Sequence, residues 1–496
     1  MKNQIKGVSY KKMDQSYFES RKLKRHAGVW SLWALGVGAV ISGHFSGWNL
    51  GLASGGWGGM LIATIIIAIM YIGLTQSVAE MSPALPHTGG AYSFARSALG
   101  PWGGFFTGLV ENMEFILTPA VIVFFISSYM SGVFETGTES LPYWWLGFYL
   151  LFTILNISGV ELSFRLTVVV TILALLCLIV FWISSIGHID FIKNALNIKA
   201  GATGKAELLE GGDGRFLPMG FSGVLKALPF AVWLFLAIEQ LPLAAEESVD
   251  PKRDMPKGLT YGMITLIISA LMILWLNASI PLGSFALSQS GEPLLDGFRL
   301  LYGDSIAKGL ALVAVIGLIA SFHTIIFAFG RQIYSLSRAG YFPVSLSITH
   351  SKRKTPYIAL ITGSAIGFGV LMLTRFLSGT EQSEVFIGGA LLNMAVFSAM
   401  LSYILQSASF LMLRAKRPNL ERPYISPLGK AGAYVTILIA MITIYYQLQD
   451  VSYRIAVLSA IVYLIIGLIY FGIRGRHRLI LSPEEEFAIS KREEHP

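Results

Sequence analysis

The 496-residue chain has one cysteine, Cys177, so it can form neither an internal disulfide nor a cysteine-based zinc site. Charge is scarce too: Asp, Glu, Lys and Arg make up 13% of the residues against 54% hydrophobic ones, and mean hydropathy is +0.63. That balance does not suit a water-soluble domain. No Ser-His-Asp arrangement, metal-ligand spacing or nucleotide motif stands out. Gly204-Lys205-Ala206 lacks the Ser/Thr and the upstream glycine of a phosphate loop. These absences point away from an enzyme, from catalytic residues and from any metal, cofactor or ATP-driven step. The polar, basic stretch to about Arg25 lacks the apolar core and cleavage site of a signal peptide, and is expected to be a cytoplasmic leader.

What the chain does have is long apolar runs. Windows near the ~20 residues of a membrane helix fall at roughly 29–53, 57–80, 101–131, 142–160, 165–187 and 222–245. Six more follow at roughly 258–280, 305–337, 356–376, 385–413, 431–449 and 452–473. The expectation is an all-α membrane protein of twelve transmembrane helices. The formal charge of +8 is spread in short clusters between the runs and offers nucleic acid no continuous face. With an even span count, 28 of the 37 Lys and Arg fall on the side of the termini. This asymmetry predicts a multi-pass protein of a bacterial-type plasma (inner) membrane with both termini cytoplasmic. Its expected partners are the lipid bilayer and a small molecule, with oligomeric state open.

Two runs are interrupted. In VWSLWALGVGAVISGHFSGWNLGLA, residues 29–53, five glycines and a central Ser-Gly-His break the first span. Pro229, Glu239 and Pro242 break the sixth. Unwound backbone is tolerated at membrane depth only where it is buried in protein or lines a cavity. Broken spans five apart are expected of two five-helix halves in opposite orientation around a binding site. The chain then divides into a leader (1–28), a first repeat (29–187), a flexible outer loop (188–221), a second inverted repeat (222–413), two further helices (414–475) and a cytoplasmic tail (476–496). The tail from Ser482 is expected to be charged and mobile. A short outer helix is expected within 281–304.

Ionisable groups inside spans are costly and therefore informative. Glu111 and Glu114, three apart, share one helical face of the third span. Close carboxylates repel unless a cation or proton joins them, so the pair reads as an ammonium site, a proton-coupling pair or part of a packing network. Glu239 lies among Trp233, Phe235 and Leu236, where aromatic faces add cation–π attraction to a substrate amine; alternatively it ties the broken helix to its neighbour. In the first break, N–H groups around Ser42, Gly43 and His44 are candidates for an anionic or hydroxyl group. His44 is either a ligand or a satisfied structural histidine. Phe45 is the better cage candidate and Trp48 a packing residue. Ser321 and Thr324 are weak candidates for a sodium site with carbonyls of the first break. His323 and Asn393 read as interhelical hydrogen-bond partners. Glu246 and Glu247 read as a solvated cluster or an inner gate.

GVGAVISG (36–43), EMSPALPHTGGAYSFAR (80–96) and AIEQLPLAAEES (237–248) resemble the signature regions of the amino acid–polyamine–organocation transporter superfamily. The resemblance runs from about Arg21 to Arg474. SGHFSGWNLGL, ENMEFILTPAVIV and IEQLPLAAEES are most similar to its ethanolamine permease branch. The resemblance implies a leucine-transporter-like fold of inverted five-helix repeats plus two helices, working by alternating access. It implies that Ser42, Gly43 and His44 face the substrate's polar end and that Phe235 to Glu239 face its amine. Two departures stand out. His44 occupies a position that is often acidic in the branch. Ala174 stands where several proton-coupled members have a fifth-span lysine, which argues against fixed-lysine coupling. The expected function is import of ethanolamine or a related small organic amine, proton-coupled through Glu111, Glu114 or Glu239, with sodium use open. An amino acid permease for cationic or neutral substrates, or an amine exchanger, is the alternative.

Overall fold

The computed structural model describes residues 7–488 except 20, 22, 24, 86, 88, 203, 379–383, 483, 484 and 487. Strand β1 (Tyr10–Lys11) and helix α1 (Gln15–Glu19) precede α2 (Val29–Val40) and α3 (Ser42–Phe45). Long helices follow: α4 (Gly51–Ala84), α6 (Pro101–Phe134), α7 (Leu141–Ser158) and α8 (Val160–Ser185), with the shorter α5 (Gly90–Leu99) between α4 and α6. After β2 (Ile198–Ala200) and β3 (Ala206–Leu208) come α9 (Gly220–Val232), α10 (Pro251–Ser279), α11 (Gly283–Leu287), α12 (Pro293–Tyr302) and α13 (Asp304–Arg338). The chain continues through α14 (Tyr357–Ser378), α15 (Glu384–Lys416), α16 (Gly429–Gln449), α17 (Arg454–Ile473) and β4 (Leu479–Ile480). Among the described residues, ten helices are long and apolar enough to cross a membrane. Two shorter apolar segments, Val29–Phe45 and Gly220–Val232, stand at the interrupted runs.

The first run ends earlier than its hydropathy suggests. Ser46 is extended and Gly47 takes φ +95°, where a side chain would also strike the Trp233 indole. The chain turns there, and a helical turn at Trp48–Leu50 leads into α4, so residues 48–53 open the second helix instead of closing the first. In the sixth run, α9 stops at Val232, residues 233–237 unwind and a 3-10 segment carries Ile238–Glu247. Pro229 and Pro242 each remove a backbone donor within that stretch. Ala237 takes φ +84°, a left-handed conformation that costs a non-glycine residue about 1–2 kcal/mol.

Three expectations about the connections need correction. Residues 188–221 are not simply a flexible loop: β2 and β3 form an antiparallel hairpin pairing Ile198 with Leu208. Ser284 Oγ donates to Ala195 O and Asn194 Nδ2 to Ser279 O, tying the segment to the helices beneath it. Residues 281–304 contain two short helices, α11 and α12, instead of one. Of the tail from Ser482, the described residues Ser482, Glu485 and Ala488 are fully buried, just after β4, which pairs in parallel with β1. The expectations for residues 1–6 and 489–496 fall outside the described residues.

Apolar residues such as Leu176, Val180 and Ile183 on α8 and Val462, Ile465, Ile466 and Ile469 on α17 face outward, as lipid contact requires, while polar groups are gathered inside. Because lipid gives helices no hydrophobic reason to associate, close contacts rest on small residues. Gly55 of α4 meets Gly223 of α9, and Gly73 of α4 meets Gly432 of α16, each so closely that a side chain would crowd the partner's backbone.

Candidate functional site

The unwound turn after α9 places Glu239 at the start of the 3-10 segment, fully inside the helix bundle. Around it lie the Glu114 carboxyl, the Tyr403 hydroxyl and the N–H groups of Ala237 and Glu239 itself. Even so, neither oxygen of Glu239 has a well-formed hydrogen bond, and Glu114 Oε2 has none. Tyr403 of α15 points its hydroxyl at Glu114 Oε1 from 3.5 Å and pairs with the Tyr71 hydroxyl of α4 at 2.9 Å. The Tyr71 ring lies 5.5 Å from the Phe235 ring. One turn before Glu114, Glu111 accepts a hydrogen bond from Gln332 Nε2 of α13 at 2.8 Å. Helices from both halves of the chain thus converge on three carboxyls whose acceptors outnumber the donors around them. Such a site suits a cation or shared protons.

The first break is organised differently. Only Ile41 separates α2 from α3, and the hydroxyl of Ser321 bridges the gap. It donates to Gly38 O at 2.6 Å and accepts the Ser42 N–H at 2.9 Å. The His44 N–H donates to Ile41 O at 3.0 Å. Two of the N–H groups expected to face a ligand are therefore engaged by the protein. Gly43 packs against the Trp233 carbonyl so closely that a Cβ would lie 2.2 Å from its oxygen. Its lack of a side chain lets the two broken segments touch.

The His44 ring also has protein on both sides, with Nε2 3.1 Å from Leu234 O and Nδ1 2.8 Å from Ser269 Oγ. It joins the first interrupted segment to the second and to α10. Trp233 donates from its indole to Ser46 O at 3.0 Å, bracing the turn. The Phe45 ring fills the space beside Gly317 of α13, and its carbonyl accepts the Tyr129 hydroxyl. Thr324 donates to Ala320 O at 2.6 Å, so a sodium ion here would compete with existing hydroxyl–carbonyl bonds. The candidate residues fall into two groups: Glu111, Glu114, Phe235 and Glu239 around the acidic centre, and Ser42, Gly43, His44, Phe45, Trp233, Ser321 and Thr324 at the joint between the breaks.

Tyr71, Tyr403 and Gln332 were missed by sequence reasoning. Each is a hydrogen-bonding side chain in an apolar run, but tyrosine is common in membrane helices, and only packing brings Tyr403 and Gln332 to the carboxyls and Tyr71 to Tyr403. His323 is held by Asn156 and Ser163, and Asn393 by Gln447, as interhelical partners. Glu247 and Glu246 are paired with Arg331 at 2.8 Å and Arg338 at 2.7 Å, on the face that carries the termini.

A family model described as amino acid permease matches residues 32–479. The chain is 27% identical to an uncharacterised transporter of Rhizobium meliloti (strain 1021), over 86% of this chain and 87% of that protein. It is 25% identical to the branched-chain amino acid permease of Bacillus subtilis (strain 168), over 92% and 94% of the two chains. It is 24% identical to the D-serine/D-alanine/glycine transporter of Escherichia coli (strain K12), over 87% and 90%. With its apolar helices, its interrupted segments and nearly all of its length within that match, the chain belongs to the amino acid permease family.

Proposed function

We propose that this protein is a secondary active transporter that imports ethanolamine or a related small organic amine by alternating access, coupled to protons. In this reading it has twelve spans, arranged as two inverted five-helix repeats and two further helices. It lies in a bacterial-type plasma membrane with both termini in the cytoplasm, as the distribution of Lys and Arg favours. Glu239 and Glu114 hold the substrate ammonium, the rings of Phe235 and Tyr71 flank it, and Glu111 with its neighbours exchanges protons.

The observation that carries this reading is Glu239: a fully buried carboxyl at the broken sixth span, adjacent to Glu114, with no well-formed hydrogen bond to either oxygen. A buried charge without a partner costs several kcal/mol, which a bound ammonium or a proton would offset. Conversely, the engaged N–H groups of Ser42 and His44 leave the first break poorly provided for a carboxylate.

Relatives named for branched-chain amino acids and for D-serine, D-alanine and glycine favour a second reading, an amino acid permease whose substrate also has a carboxylate. Uptake of radiolabelled ethanolamine into proteoliposomes, with amino alcohols and amino acids as competitors, separates the two. Displacement by amino alcohols, and its loss in Glu239→Gln, is expected; preferential displacement by amino acids supports the permease alternative. Uptake unchanged in both Glu239→Gln and Glu111→Gln removes the proposed amine site.

A further inference from the structure

Glu485, in the tail, is a fully buried carboxyl that accepts four hydrogen bonds. Arg96 Nε of α5 donates to its Oε2 at 2.5 Å, and the Tyr10 hydroxyl donates to the same oxygen at 2.8 Å. The hydroxyls of Tyr92 and Tyr341 donate to Oε1 at 3.0 and 2.9 Å. Arg96 and Glu485 are both fully buried, and Arg96 Nη2 also reaches the Tyr10 hydroxyl at 2.6 Å. Four donors on one carboxylate, from three separate parts of the chain, constitute a built receptor for the tail.

Those parts meet at the face that carries the termini. Tyr10 lies on β1, upstream of the first span; Arg96 and Tyr92 lie on α5; Tyr341 follows α13. Backbone bonds reinforce the dock: Ser9 N donates to Arg476 O, Leu481 N to Lys11 O and Ile480 N to Ala339 O. A side chain at Gly340, which has φ +81°, would lie 2.4 Å from Arg478 O, so the turn after α13 is shaped to admit the strand.

The same elements seal this face. Tyr17 donates to Arg338 O, Arg21 Nε donates to Ser347 Oγ, and Tyr334 donates to Arg21 O, holding the leader against the end of α13. Ala27 and Ser248 form an isolated parallel bridge between the leader and the end of the sixth span, beside the Arg331–Glu247 pair. In an alternating-access cycle, moving the leader off the end of α13 would pull β1 away from β4 and Tyr10 away from Glu485.

We propose that the docked tail is a lock on this gate, with Glu485 as its bolt: while Glu485 occupies its receptor, the leader, α5 and the end of α13 are held together and the terminal face stays closed. The inference rests on the alternating-access reading but not on the identity of the substrate.

The single cysteine makes the test direct. Ser248 is fully buried within the seal, and Cys177 is buried and free. In a Cys177→Ser background, Ser248→Cys is exposed to a membrane-impermeant maleimide from the terminal face of oriented vesicles. Glu485→Gln and a chain ending at Ser482 are expected to raise the labelling rate several-fold. Tyr341→Phe, which keeps the ion pair, is expected to give a smaller rise and guards against misfolding of the stronger variants. Labelling at the parent rate in all three overturns the lock. Amine uptake by the parent, measured in parallel, reports the functional reading separately: labelling that responds to the tail variants without any amine uptake supports the lock and rejects the substrate.

Discussion

The Ser321 hydroxyl stands between Gly38 O and the Ser42 N–H, so a side chain from α13 completes the backbone ladder that the first span leaves open. The interruption is therefore a joint between the two halves of the chain. A movement of α13 relative to the first span must change it.

Ser321→Ala removes the bridge and leaves a buried carbonyl and N–H to find each other or remain unpaired. A loss of about 1–3 kcal/mol of stability is expected for unpaired groups, read as a lower midpoint of thermal unfolding in detergent. An unchanged midpoint means that the helix closes directly and that the bridge is dispensable.

Tyr403→Phe deletes the hydroxyl that lies between Tyr71 and Glu114 while keeping the ring. Weaker substrate binding by about ten- to a hundredfold is expected, since a hydrogen bond to a charged group contributes about 1.5–3 kcal/mol. Equilibrium binding of the radiolabelled amine measures it, and Tyr71→Phe is expected to have a smaller effect.

Ala237→Gly relieves the left-handed strain at the sixth-span turn. Stability is expected to rise by up to about 1 kcal/mol, because the native φ is open to glycine, against a cost from the more flexible unfolded chain. Thermal unfolding with and without substrate decides between relief of strain and loss of the turn's rigidity.

His44→Gln removes a ring that reaches both Leu234 O and Ser269 Oγ. Lower thermal stability with the same order of preference among competing amines is expected. A reordered preference would return His44 to the substrate.

Docking of the tail is expected to fail at alkaline pH. Burial, and next the Glu485 carboxylate, push the phenols of Tyr10 and Tyr341 above the ordinary tyrosine value. A folded-state value raised above the unfolded one means that this stabilisation is complete below about pH 10 and is lost as pH rises through the folded value. Fluorescence anisotropy of a dye on Glu486→Cys, in a Cys177→Ser background, is expected to hold steady below about pH 10 and fall above it.

Much of the architecture was legible in the residues. Apolar runs marked most ends of the long helices to within a few residues, since a segment buried in lipid or protein must be apolar along its length, while α4 and α10 begin six and seven residues before the expected 57 and 258. The breaks were visible for the same reason, as Gly43, Pro229 and Glu239 interrupt that pattern. The end of the first span was misplaced because Gly47 turns the chain without changing hydropathy. Glu485 was misread because a charge in a polar tail looks solvated until Arg96 and three tyrosines are brought to it.

By itself the sequence determined where helices form and where they are interrupted, because both follow from local composition and backbone conformation. Only the tertiary structure decided what each interruption meets: Ser321 at the first, Glu114 and Tyr403 at the second, and Arg96 at the end of the chain. Those partners lie far away along the chain, and their approach depends on helix packing that no local pattern encodes.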